Sequence, residues 1–100
     1  MKDLKMKKEF KVIADLLPNN TRVLDVGCGD GSLMSLLNEE KHIEVRGLEL
    51  NQENVQECIH KGLPVIQGNA ETELHQFPDK SFDYVVLSQT LQAFYEPEKV

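Results

Sequence analysis

Residues 23–33, which read VLDVGCGDGSL, restrict the fold of this chain more than any other segment. A short apolar run ends there at three glycines on alternate positions, Gly27, Gly29 and Gly31, and a segment rich in leucine follows. Glycine accepts the positive φ angles and the close backbone contacts of a tight turn. The pattern predicts a strand that leads through a glycine loop into a helix, with a ligand bound at the loop.

Strand and helix patterns alternate along the rest of the chain. A stripe of apolar residues (Met6, Phe10, Ile13 and Leu17) predicts a leading helix over residues 1–18. The predicted strands are residues 22–26, 44–50, 63–67 and 82–88; the predicted helices are residues 32–38, with Asp30 or Ser32 as N-cap, and a segment from Asn51 to Gly62 that buries Val55, Cys58 and Ile59. Residues 68–81 are predicted to form a polar loop.

Such alternation favours a parallel sheet with right-handed crossovers. We therefore predict a single α/β domain over residues 1–100, a Rossmann-like three-layer fold with about four strands and helices on both faces. Pro97, close to the last residue, resembles the first turn of a further helix, which indicates an N-terminal fragment of a longer fold. The strand at residues 82–88 is predicted to be buried on both faces and to leave an open edge, through which two copies would form a homodimer.

Composition and charge exclude several classes of function. The formal net charge of -6 argues against a nucleic-acid partner, because phosphate binding needs clustered Lys and Arg. No apolar run has membrane-spanning length and no secretory leader is visible, so we expect a cytoplasmic protein. Cys28 and Cys58 have no CxxC spacing, need not meet in space and are predicted to be free, packed thiols. The histidines are scattered, and no metal site is predicted.

The acidic residues beside the glycines decide which ligand the loop prefers. Asp25 and Asp30 flank the first two glycines and would repel a diphosphate. The dinucleotide fingerprint GxGxxG also fails at Ser32, so an NAD-binding oxidoreductase is the disfavoured alternative. A ligand with an ammonium and a sulfonium group would be attracted instead, and Glu49 suits a ribose diol. S-adenosylmethionine carries all of these groups.

The segment VLDVGCGDG, with GLEL at the end of the next strand, resembles the class I S-adenosylmethionine-dependent methyltransferases. The resemblance implies that the glycine loop passes beneath the methionyl part of the cofactor, with Asp25 near its ammonium group. It also implies that Glu49 binds the ribose and that Asn69, where the family more often has aspartate, meets the adenine amino group. The predicted cofactor-binding residues are Asp25, Gly27, Cys28, Gly29, Asp30, Gly31, Glu49, Leu50, Asn69, Ala70, Ser88 and Gln89.

Residues 62–93, which read GLPVIQGNAETELHQFPDKSFDYVVLSQTLQA, are similar to methionine biosynthesis proteins of the MetW family. The resemblance covers residues 21–100 and implies an association with homoserine O-acetyltransferase. Two functions stay open. The chain transfers a methyl group to an unknown acceptor and releases S-adenosylhomocysteine, or it is a non-catalytic partner of the acyltransferase. No residue is predicted to be catalytic.

Overall fold

In the computed structural model, which describes residues 10–78, 81–87 and 93–95, the centre is a sheet of five strands. The strands are β1 (Thr21–Val26), β2 (Ile43–Glu49), β3 (Val65–Gln67), β4 (Tyr84–Leu87) and β5 (Ala93–Tyr95). Their order is β3-β2-β1-β4-β5; the first four run parallel, and β5 is antiparallel to β4. The predicted α/β fold with four parallel strands is confirmed.

Helices connect the parallel strands. Residues 10–16 form the described part of a helix, α1, which precedes β1. The helices α2 (Ser32–Glu40), α3 (Gln52–His60) and α4 (Ala70–Glu73) follow β1, β2 and β3 in turn. One turn of 3₁₀ helix, Leu74–Gln76, comes directly after α4.

The hydrophobic core joins three helices to the sheet. It contains Phe10, Ile13 and Leu17 from the α1 region, Leu33, Met34 and Leu37 from α2, Cys58 from α3, and Val23, Val45 and Val86 from the strands. The predicted α1 stripe is therefore confirmed from Phe10 onward, and Met6 lies outside the described residues. Since successive side chains of a strand point to opposite faces, the burial of both Val23 and Leu24 means that both faces of β1 are covered.

The strand order determines where this sheet offers a ligand site. β2 and β3 lie on one side of β1 and β4 lies on the other, so the order reverses between β1 and β4. In open parallel sheets the ligand binds beyond the carboxyl ends of the strands at such a reversal. The glycine loop after β1, residues 27–31, lies at this point.

Three local predictions were wrong. The loop predicted for residues 68–81 contains α4 and the 3₁₀ turn, which are too short to give a helical apolar period. The strand predicted to begin at Leu63 begins at Val65, because the Leu63 N–H donates to Cys58 O (2.9 Å) and finishes α3 instead. Ile59, predicted to be buried, is 55% exposed.

The open edge predicted for the fourth strand is also wrong. β5 pairs with β4, with Val85 opposite Tyr95 and Leu87 opposite Ala93. A homodimer cannot use the edge of β4, and dimerisation through another surface stays a prediction. Burial of β4 is less complete than predicted, since Val86 is fully buried but its neighbours are only half-buried. Pro97 lies outside the described residues.

Candidate functional site

The chain turns tightly after β1, and it can do so because each glycine of the loop has a left-handed backbone. The φ angles of Gly27, Gly29 and Gly31 are 70°, 59° and 86°, a region that side-chain-bearing residues rarely adopt. The loop is attached to the end of β2, where Leu48 O accepts from the N–H groups of Gly27 (2.7 Å) and Cys28 (3.3 Å). The predicted turn and its position are confirmed.

Two glycines are required by close packing as well. A Cβ atom at Gly31 would lie 2.4 Å from Leu63 Cδ1, and one at Gly47 would lie 2.7 Å from both Cys28 Sγ and Met34 Cε. Gly47 supports the loop from β2 and was not among the predicted site residues. An isolated glycine inside a strand is the available signal, because it often marks a close approach of another segment.

Glu49 lies at the centre of the site. Its side chain is 4% exposed, and its two oxygens accept from different backbone groups: Oε1 from Gly29 N–H and Oε2 from Asn51 N–H, both at 2.8 Å. The carboxylate therefore connects the glycine loop to the beginning of α3. Each carboxylate oxygen has a second lone pair, so Glu49 can accept from a ligand while it keeps these bonds.

Asp25 puts a second acidic side chain below the loop. It is fully buried, near the end of β1, and its register neighbours are Gly47 in β2 and Val86 in β4. Burial, and after it the nearby charge of Asp25, raises the pKa of the Cys28 thiol, and Glu49 contributes in the same direction. Both carboxylates are therefore close enough to act on the loop.

Asp30 has a different role from Asp25. Its Oδ1 accepts from the Ser32 hydroxyl (2.6 Å) and from Ser32 N–H (3.1 Å), and the hydroxyl bond is the main reason that the pKa of Asp30 is lowered. Lys61 Nζ donates to Asp30 O (2.8 Å) and lies 3.9 Å from its Oδ2. The N-cap of α2 is Gly31, with no side-chain cap, so the prediction of Asp30 or Ser32 was wrong. Lys61 was not predicted at this site.

The end of β3 closes the site on its other side. Gly68 N–H donates to Glu49 O (3.0 Å), which brings the predicted adenine side next to Glu49. Asn69 is exposed, and its Oδ1 accepts from Glu71 N–H (2.7 Å) at the beginning of α4, which starts at Ala70. Leu50 is 67% exposed directly after Glu49. Ser88 and Gln89 lie outside the described residues.

The two cysteines meet beneath the loop, although the sequence did not require it. Their Sγ atoms are 3.9 Å apart, and both thiols are free and buried, as predicted. Cys58 is placed there by the Schellman-type end of α3, where Gly62 N–H donates to Ile59 O (2.9 Å) and Gly62 has a φ of 74°.

The described part of the chain, residues 10–78, 81–87 and 93–95, holds no group of three or more His, Cys, Asp or Glu arranged to bind a metal. In the same part of the chain, no helix combines the length and the apolar character that crossing a membrane requires.

Comparison with known proteins adds a family to this geometry. The family model described as "Methionine biosynthesis protein MetW" matches residues 7–100. A bifunctional methionine biosynthesis protein MetXA/MetW from Rhodopirellula baltica is 31% identical over 91% of this chain, which corresponds to 16% of its own length. The mitochondrial arginine-hydroxylase NDUFAF5 of Rattus norvegicus is 28% identical over 79% of this chain and 23% of its own.

Among solved structures, a SAM-dependent methyltransferase from Archaeoglobus fulgidus superimposes with a TM-score of 0.68 and 30% identity. The match covers 83% of this chain and 36% of that one. This chain therefore spans less than a quarter of the two curated relatives and about a third of the methyltransferase structure.

Proposed function

Because this chain belongs to the MetW family of methionine biosynthesis proteins, we propose that the carboxyl end of its sheet binds S-adenosylmethionine. The chain is a MetW-type methyltransferase-like domain with a class I fold. The observation that carries the proposal is the buried Glu49 carboxylate, which is fixed by two backbone N–H groups beside the glycine loop.

The residues present fit this cofactor in shape and in charge. Gly27 and Gly29 bring bare backbone to the ligand side of the loop, where a side chain would add bulk and strain. Asp25 and Glu49 supply negative charge, and the nearby cation, Lys61, is already bound to Asp30. A cationic amino-acid group is favoured in these surroundings and a diphosphate is disfavoured.

Each residue has a proposed task in binding. Glu49 accepts hydrogen bonds from the ribose hydroxyls through the lone pairs that its two backbone bonds do not use. Asn69 Oδ1 accepts from the adenine amino group in addition to Glu71 N–H. Leu50, exposed beside Glu49, covers one face of the base. The other residues of the proposed set are Cys28, Asp30, Gly31, Ala70, Ser88 and Gln89.

We further propose methyl transfer to an acceptor of unknown identity. S-adenosylmethionine supplies an electrophilic methyl group on a sulfonium when it is bound. Such displacement needs little covalent help, so the task of Glu49 and the glycine loop is to hold the donor in one orientation. A general base is needed only if the acceptor must lose a proton.

A second function is supported by one relative. The Rhodopirellula baltica protein carries the names MetXA and MetW in one chain, which favours a partner role toward a homoserine O-acetyltransferase in the cytoplasm. The NDUFAF5 relative is named a hydroxylase, so similarity to this chain does not by itself imply methyl transfer. Copurification with the acyltransferase supports the partner role, whereas methylated product with candidate acceptors supports the enzyme.

The binding site is tested by calorimetric titration of S-adenosylhomocysteine into wild type, Glu49→Gln and Glu44→Gln. Glu44 is the matched control, because it is an exposed glutamate at the opposite end of the same strand. We expect Glu49→Gln to weaken binding by about 1–3 kcal/mol through loss of charge-assisted hydrogen bonds, and Glu44→Gln to bind as wild type does. Equal affinity of all three proteins would overturn the ribose assignment.

A further inference from the structure

Cys28, in the proposed cofactor loop, and Cys58, which has no proposed part in binding, form a close contact that cofactor binding does not explain. Cys28 Sγ and Cys58 Sγ are 3.9 Å apart although the residues are 30 positions apart in sequence. Their side chains are 5% and 0% exposed. The chain has two cysteines in all, so each has one possible partner within the molecule.

Three contacts hold the two sulfur atoms toward each other. Both thiols point at the same carbonyl, with Gly29 O at 3.4 Å from Cys58 Sγ and at 3.8 Å from Cys28 Sγ. On the sheet side, Cys28 Sγ occupies the space that a side chain at Gly47 would fill. Cys58 belongs to the packed helix α3, whereas Cys28 lies between two glycines. The pair thus joins α3 to the glycine loop, and both thiols are packed in place.

We propose that Cys28 and Cys58 are a redox-sensitive pair, which hydrogen peroxide converts to a disulfide that fastens the glycine loop to α3. One cysteine loses its proton, and its thiolate attacks a peroxide oxygen, forming a sulfenic acid and releasing hydroxide. The hydroxide takes up the proton. The other thiol then attacks the sulfenic sulfur; an S–S bond forms, and the sulfenic oxygen leaves as water. Two thiols are oxidised, one peroxide is reduced, and two waters are formed.

The disulfide changes the loop because the sulfur atoms must come closer. An S–S bond is about 2.05 Å long, so the pair must close by roughly 1.9 Å, and the glycine loop and α3 must approach each other. The thiol donors to Gly29 O are lost at the same time. Gly29 also donates to Glu49 Oε1, so the movement reaches the carboxylate at the centre of the site.

Burial makes the pair slow to oxidise. It raises the pKa of both thiols, and for Cys58 the hydrogen bond with Cys28 and the charge of Lys61 partly oppose the rise. Little thiolate is therefore present near neutral pH, and oxidation is slower than at an exposed cysteine.

The test is exposure of the folded chain to hydrogen peroxide, followed by mass spectrometry without reductant and mapping of the linked peptides. We expect wild type to lose two hydrogen atoms, to yield one peptide pair joined through Cys28 and Cys58, and to recover its mass with dithiothreitol. The matched variants Cys28→Ala and Cys58→Ala each retain one thiol, so neither should give this product. Amide exchange at residues 27–31 should change in oxidised wild type and return on reduction.

The proposal would be overturned by wild type that keeps both thiols until it is unfolded, or by wild type whose cysteines oxidise to sulfinic or sulfonic acid without a disulfide. A disulfide between two chains would overturn it as well. If a variant fails to fold, the peptide map of wild type decides alone. None of these results depends on whether the site binds S-adenosylmethionine.

Discussion

The connection from β1 into α2 (the β1 junction) and the connection from β2 into α3 (the β2 junction) start their helices in different ways. α3 has Asn51 as its N-cap, and the Asn51 side chain accepts from Asn54 N–H at 3.0 Å. α2 has Gly31 as its N-cap, which is in a left-handed conformation and supplies no side-chain hydrogen bond. Glu49 connects both junctions through one carboxylate. At the β2 junction a side chain caps the helix, whereas at the β1 junction the residue before the helix is a left-handed glycine, and Glu49 and Asp30 accept from the neighbouring N–H groups instead.

The largest effect is expected at Gly31, where the β1 junction depends on a missing side chain. Gly31→Ala adds a methyl group 2.4 Å from Leu63 Cδ1 at a φ of 86°, so backbone strain and overpacking together should lower the free energy of unfolding by about 2–5 kcal/mol. Urea denaturation measures the loss.

Gly62→Ala is the matched control for this variant. Gly62 has a φ of 74°, but a Cβ there would meet nothing within 4 Å. Only the backbone strain of about 1–2 kcal/mol remains. Equal losses in the two variants would show that packing around the loop is not tight, which contradicts the account of the β1 junction.

The next effect is expected at Glu49, which the two junctions share. Glu49→Gln keeps the shape of the side chain but replaces one accepting oxygen with an NH₂ group, so either Gly29 N–H or Asn51 N–H loses its acceptor. A buried donor left without a partner costs about 1–3 kcal/mol of stability. Thermal unfolding in the absence of ligand checks this, and a variant as stable as wild type would mean that the carboxylate does not fasten the loop.

A moderate effect should separate the two helix starts directly. Asn51→Ala removes the side-chain cap of α3 and should cost about 1 kcal/mol. Ser32→Ala at the first position of α2 removes only an exposed bond to Asp30 and should cost less. Urea unfolding of the pair tests the comparison, which fails if the serine variant is the less stable one.

The smallest effect is expected from Asp30, which is exposed. Its pKa is lowered in the folded chain, first by the Ser32 hydroxyl, so its ionised form stabilises the fold above the ordinary value of 3.8 and this contribution disappears as the pH falls through the lowered pKa. Asp30→Asn should therefore be less stable than wild type at neutral pH by at most about 0.5 kcal/mol, since the group is solvated. The free energies of unfolding of the two proteins should converge in acid. A difference that grows as the pH falls would contradict the predicted direction of the effect.

Sequence reasoning located the β1 junction because the relevant information is local. An apolar run followed by alternate glycines specifies a strand and a turn, and the structure places Gly27, Gly29 and Gly31 in left-handed conformations. The caps of α3 were also predictable, because Asn51 and Gly62 act on neighbouring residues in the chain.

The features that were missed depend on contacts between distant segments. The meeting of Cys28 with Cys58 and the crowding at Gly47 arise only when β2, α2 and α3 are packed together. β5 is three residues long, and its strand structure depends on its pairing with β4. Ile59 is exposed although it is four positions after Val55. The buried face of α3 contains Val55 and Cys58 and does not extend to Ile59.

The central claim is that the carboxyl end of this sheet prefers a cationic nucleoside to a diphosphate, and parallel titrations of three ligands test it most directly. S-adenosylmethionine, S-adenosylhomocysteine and NAD are each titrated calorimetrically into the wild-type chain. Asp25 and Glu49, both buried beside the bare loop, predict saturable binding of the first two and no measurable binding of NAD. Tight binding of NAD, with no heat from either sulfur-containing nucleoside, would contradict the claim.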